Sequence, residues 1–90
     1  MEIKVGDKPV NNYVTAFAMS QDAENALIAR GNNVLTAIKT ALKLQRMGRA
    51  VIGEVKLDQE QAEMTTKDGQ KVQGYLPIIR ISLTKTEKEQ

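Results

Sequence analysis

The sequence predicts a small α+β domain with the element order β-α-β-α-β-β and a hairpin arm that projects from its body. Three observations carry that reading. Behind Pro9, the residues Val10, Tyr13, Val14, Phe17 and Ala18 recur at i, i+3, i+4, i+7 and i+8, the spacing of one helical face. From Val34 to Met47, the apolar residues Val34, Leu35, Ala37, Ile38, Ala41, Leu42 and Leu44 cover about half of a second helix. Finally, Lys67-Asp68-Gly69-Gln70 is a strong turn signal between two long extended segments, with Asp-Gly at the hairpin tip.

The elements follow in order. Ile3-Lys4-Val5 alternates and is closed by Gly6, a short first strand. Pro9 suits the first turn of a helix, where its missing N–H costs nothing. That helix is unusual on its outer side, because Asn11 to Gln21 contains no charged residue. A loop at Gln21-Asp22-Ala23 leads to a largely apolar second strand, Asn25 to Ala29. Gly31-Asn32-Asn33 breaks the chain, and Asn33 is the predicted N-cap of the second helix. Gly48 ends that helix. The next strand, Ala50 to about Met64, starts apolar and turns wholly polar, so Asp58 to Gln73 is expected to leave the core as the arm. The return strand runs from about Val72 to Thr84. Pro77 within it removes a ladder donor and calls for an edge or a bulge. Ile79, Ile81 and Leu83 alternate with polar residues, as in a strand with one buried face. The domain is expected to span 1–85, with 86–90 a frayed, charged tail.

Ninety residues allow one hydrophobic core and no second. A composition of 41% hydrophobic and 27% charged residues is globular rather than disordered. No apolar run spans a bilayer, and the N-terminus lacks a signal-peptide core, so the chain reads as intracellular and cytoplasmic. It contains no cysteine and no histidine, which removes thiolate chemistry, sulfur-ligated zinc and the commonest general base. Only Ser20 and Ser82 are serines, with no histidine to activate them. The sequence therefore reads as a non-enzyme, and no metal or organic cofactor is implied. The net charge is only +2, but it is unevenly spread. Arg30, Lys39, Lys43, Arg46 and Arg49 stand in a stretch without acids, whereas Glu54, Asp58, Glu60, Glu63 and Asp68 dominate the next one. Such asymmetry points to a charged partner or to self-association.

Three stretches resemble the Alba family of small archaeal chromatin and RNA-binding proteins. Lys8-Pro9-Val10-Asn11-Asn12-Tyr13-Val14 is similar to the family's Lys-Lys-Pro-x-x-x-Tyr-Val at the start of its first helix. Ile28-Ala29-Arg30-Gly31, followed by a helix with Ala37-Ile38, resembles its Ala-Arg-Gly-(Arg or Lys) segment, and Ile79-Arg80-Ile81-Ser82-Leu83 its closing strand. The resemblance implies a homodimer with two arms that binds DNA or RNA without sequence preference. Mapped onto this chain, the contacts implied are Lys8, Arg30, Gly31 and the arm lysines Lys67 and Lys71. Three positions depart from the pattern. Asp7 replaces the first lysine of the pair, and Asn32 and Thr36 replace residues that are usually basic.

These departures predict weak or lost nucleic-acid binding, since non-specific affinity is mostly counterion release. The alternative is an ordinary Alba-type DNA/RNA-binding chromatin protein, nucleoid-associated, in which the remaining basic residues suffice. If binding is lost, the fold is left as a dimeric scaffold for a protein partner. Asp7 reads first as a helix-dipole partner of the first helix. Arg30 either clasps a phosphate or pairs with an acid of its own sheet. Lys39, Lys43 and Arg46 read as the solvated face of an amphipathic helix before they read as a nucleic-acid stripe. Tyr75 is the only aromatic placed to stack a base, and one residue falls short of a stacking platform. Leu35, Leu42, Ile79 and Ile81 are the expected dimer surface.

Overall fold

The computed structural model describes residues 1–86. Its elements are β1 (Glu2–Lys4), α1 (Val10–Met19), β2 (Glu24–Arg30), a 3-10 turn (Gly31–Asn33), α2 (Val34–Arg46), β3 (Ala50–Thr65) and β4 (Lys71–Lys85). The strands form one sheet in the order β1-β2-β4-β3, with β1 parallel to β2 and the other neighbours antiparallel. Both helices pack against the sheet, and the core lies between them and its inner face.

In α1 the buried residues are Tyr13 and Phe17, one turn apart, flanked by the partly buried Val14 and Ala16. Ala18, expected on the apolar face, is exposed instead. The Tyr13 hydroxyl accepts hydrogen bonds from the backbone N–H of Gly6 (2.7 Å) and Lys8 (3.1 Å), which fixes the loop between β1 and α1. Buried Asn25 ties the next loop together: it accepts from the Ser20 hydroxyl at 2.7 Å and donates to the Asp22 carbonyl at 2.9 Å.

In α2, Ala37, Thr40, Ala41 and Leu44 are buried, and the small residues among them let the helix lie close to the sheet. Gly48 (φ 70°) ends the helix as predicted. Its N–H bonds the Gln45 carbonyl at 3.0 Å, while the Arg49 N–H reaches back to Leu44 at 2.9 Å, the paired bonds of a Schellman motif. Asn33 does occupy the N-cap position, but its side chain makes no cap bond. Its amide faces the Asp7 Oδ1 and the Gly6 carbonyl, each at 3.1 Å, and donates to both when its NH2 is turned toward them.

The expected dimer surface needs correction. Ile79 and Ile81 pair in register with Ala29 and Leu27, so they face the helices of their own chain and are each only 3% exposed. Their own core covers them and leaves no surface for a partner. Asp7 stands two residues before Pro9, the N-cap of α1, and its carboxylate faces the Asn33 amide at the entry to α2.

β2 stops opposite Ile78, and beyond that point β3 and β4 pair with each other alone. Pro77 is the first residue past the end of β2, on the free hairpin, with Gln59 of β3 opposite it and no strand on its other side. The sheet irregularity falls elsewhere, between Ile52 and Val55. The free hairpin accounts for the elongated shape, 57 Å by 22 Å by 20 Å. At its tip Gly69 takes φ 82°, and its N–H bonds the Thr66 carbonyl at 2.9 Å. Thr86 is held by Gly48 and Arg49. The rest of the predicted tail, 87–90, lies outside the described residues.

Candidate nucleic-acid interface

Three segments meet at the base of the arm. Tyr13 holds the loop carrying Asp7 and Lys8, and the Asn33 amide joins that loop to the turn Gly31–Asn33. The turn requires Gly31 at φ 61°, a left-handed conformation that costs other residues roughly 1–2 kcal/mol. The Leu76 side chain of β4 lies 3.7 Å from where a Gly31 Cβ would stand, so the turn also abuts the arm. Lys8, Arg30, Gly31 and Asn32 are therefore neighbours.

The charges at this junction are partly cancelled. The Arg30 guanidinium forms an ion pair with the Glu60 carboxylate, which reaches it across β4 from the arm. Their side chains are 62% and 40% exposed, so the pair belongs to the surface class. Lys8 is exposed with Asp7 beside it, and Asn32 is exposed and neutral. Thr36 is half-buried, and its carbonyl accepts the Thr40 hydroxyl at 2.8 Å, so it offers no outward cation.

Lys67 and Lys71 do not join this cluster. β3 runs on to Thr65 before the tip, and at about 3.4 Å per residue that end lies about 17 Å beyond Glu60. Lys71 stands 3.6 Å from Glu63. On α2, Lys43 donates to the Asn11 side chain at 2.6 Å and ties the helices together, while Lys39 and Arg46 are exposed. On the sheet face away from the helices, Arg80 bonds Glu2 at 2.7 Å. That hydrogen bond, reinforced by the guanidinium charge, holds the Glu2 carboxyl below its ordinary range. Among the described residues no group of three acidic, His or Cys side chains is placed to hold a metal.

Glu60 as the partner of Arg30 is the residue that sequence reasoning missed. An acid run in the arm was visible; which acid meets Arg30 depends on strand register.

No family model matches the chain. The DNA/RNA-binding protein Alba of Nanoarchaeum equitans (strain Kin4-M) is 34% identical over 90 residues, covering 93% of this chain and 97% of the relative. The chain belongs to the Alba family. Its fold agrees with that of solved relatives. Alba from Thermoplasma volcanium superimposes with a TM-score of 0.68 at 24% identity, over 93% of this chain and 99% of that one. ALBA1 from Trypanosoma brucei gives 0.72 at 14% identity, over 96% and 69%. These two likenesses carry the Alba fold: two helices on a four-stranded mixed sheet with a long hairpin.

Proposed function

We propose that this Alba-family protein is a homodimer that binds DNA or RNA without sequence preference, weakly at physiological salt because its own acids occupy its basic contacts. The observation that carries this reading is the Arg30–Glu60 ion pair at the base of the arm. A phosphate arriving at Arg30 competes with Glu60 for the guanidinium and meets its charge, so the contact yields less than a free arginine would. Asp7 adds repulsion beside Lys8. At about 4 Å a carboxylate and a phosphate repel by roughly 1 to 4 kcal/mol between water-like and surface dielectrics. The protein acts as a binder rather than an enzyme, in the cytoplasm and on the nucleoid when nucleic acid is bound.

Dimerisation is supported by one exposed apolar flank. Leu35 and Leu42 of α2 stand outward, and the neighbouring edge strand β3 exposes Val55 and Leu57, the latter by 75%. Their register partners, Ile81 and Ile79, are core, so Val55 and Leu57 continue the inner face of the sheet past the cover of its helices.

Restoring the missing charge tests the reading. The double variant Asp7→Lys, Asn32→Arg should bind duplex DNA at least tenfold more tightly, with a salt slope steeper by about 0.9 for each additional phosphate neutralised. An unchanged affinity would mean that these positions do not meet nucleic acid. A second reading, an ordinary Alba-type binder of full strength, is favoured by the exposure of Lys8 and Lys67 and by the name of the Nanoarchaeum relative.

A further inference from the structure

Register sorts the arm into two unlike faces. Asp58, Glu60, Ala62 and Met64 share one face with their partners Ile78, Leu76, Gly74 and Val72. There Met64 lies over Gly74, with its sulfur 3.2 Å from where a Cβ would stand. The other face carries Gln59, Gln61, Gln73, Tyr75 and Pro77. Tyr75 is 60% exposed, Gln61 stands directly opposite it, and the Gln61 amide donates to the Gln73 carbonyl oxygen. Asp58 and Glu60 thus point away from Tyr75. The one strand acid left on its side, Glu63, is paired with Lys71. What remains is a near-neutral strip bearing an exposed ring and three carboxamides, with Lys71 and Lys67 toward the tip.

We propose that this strip is a contact site for single-stranded nucleic acid: Tyr75 stacks on one unpaired base, while Gln61 and Gln73 hydrogen-bond its edge. The inference rests on the nucleic-acid reading above and names the form of ligand that the arm takes. A ring lying open on a sheet can stack only on a base whose face is open, and a duplex hides base faces within its stack. Carboxamides donate and accept, so they meet the edge of any base and leave the contact tolerant of sequence. Lys67, exposed at the tip, complements a phosphate farther along the strand, while Lys71 stays paired with Glu63. A second copy of the chain fits this strip less well, because Tyr75 lies four residues beyond Ile79, about 14 Å along the arm from the exposed Leu57 row.

The test titrates the full chain with U20 RNA, dT20 DNA and a 20-base-pair duplex at about 20 mM salt, by anisotropy and by tyrosine fluorescence. The chain has no tryptophan and its other tyrosine, Tyr13, is buried, so quenching by a homopolymer reports Tyr75. Tyr75→Ala should weaken single-strand binding about tenfold or more and leave duplex binding within about twofold. Tyr75→Phe should retain it, since the ring and not the hydroxyl does the stacking. Equal binding of U20 and dT20 assigns the contact to the base, and preference for U20 adds a ribose hydroxyl to it. The proposal is overturned if Tyr75→Ala leaves single-strand binding intact, if duplex binding falls equally, or if the variant sediments as a monomer where the parent is a dimer. Should the parent bind none of the three probes, the nucleic-acid reading itself fails.

Discussion

Replacing Glu60 by glutamine removes the carboxylate from Arg30 while keeping the size of the side chain, and the consequence can be worked from the geometry. The ion pair is half-exposed, so breaking it costs about 0.2–1 kcal/mol. A phosphate arriving at Arg30 also meets the Glu60 charge, which at about 4 Å repels it by about 1 kcal/mol even in water-like surroundings. Together these oppose binding by roughly 1.2–2 kcal/mol at each Arg30, which corresponds to about 8- to 30-fold in affinity. Glu60→Gln should therefore tighten duplex binding by that factor per site. It should also steepen the salt slope by about 0.9 for each Arg30 that engages a phosphate. Fluorescence anisotropy at stepped salt concentrations reads both quantities. Thermal melting serves as the control, since losing a surface pair should cost no more than about 1 kcal/mol of stability. Unchanged affinity and slope in a folded variant would refute the idea that Glu60 masks Arg30.

Two further outcomes are expected. Leu42→Lys with Leu57→Lys places cations on the exposed apolar flank. Sedimentation should then show a monomer at micromolar concentration for the variant and a dimer for the parent; a parent that is already monomeric would remove the dimer from the account. The Glu2–Arg80 bond gives a pH dependence of known sign. Because the folded-state pKa of Glu2 is lowered, its stabilisation is complete above the ordinary glutamate range and is lost as pH falls below about 4 through the lowered value. Urea unfolding between pH 3 and 7 should show a shallower acid-side loss for Glu2→Gln than for the parent.

Much of the architecture is legible in the residues because its signals are local. Tyr13 and Phe17 mark the buried side of α1, Ala37, Ala41 and Leu44 that of α2, Gly48 its end, and Asp68-Gly69 the hairpin tip. The candidate site is less legible because it depends on register and on long-range contacts. Alternation showed that Ile79 and Ile81 line one face, but not that their own helices cover it. A one-residue slip of β3 against β4 would turn Glu60 to the opposite face, away from Arg30. No periodicity reveals that choice. Asn33 likewise has the composition of an N-cap, and only the folded chain shows its amide turned to Asp7. The same sorting by register leaves Tyr75 among glutamines rather than acids, although the stretch from Asp58 to Asp68 holds four acids.

The central claim, that intramolecular acids hold back the basic contacts, is tested most directly by titrating the unmodified protein with labelled duplex DNA from about 20 to 200 mM salt. Of the four family-mapped cations only Lys8 and Lys67 lack an acid partner among the described residues, so with those two engaged on each protomer a dimer should give a slope of about −3.6 in log K against log salt and little binding at 200 mM. Tight binding at 200 mM with a slope near −7 would mean that Arg30 and Lys71 engage phosphate despite Glu60 and Glu63. That result would contradict the account.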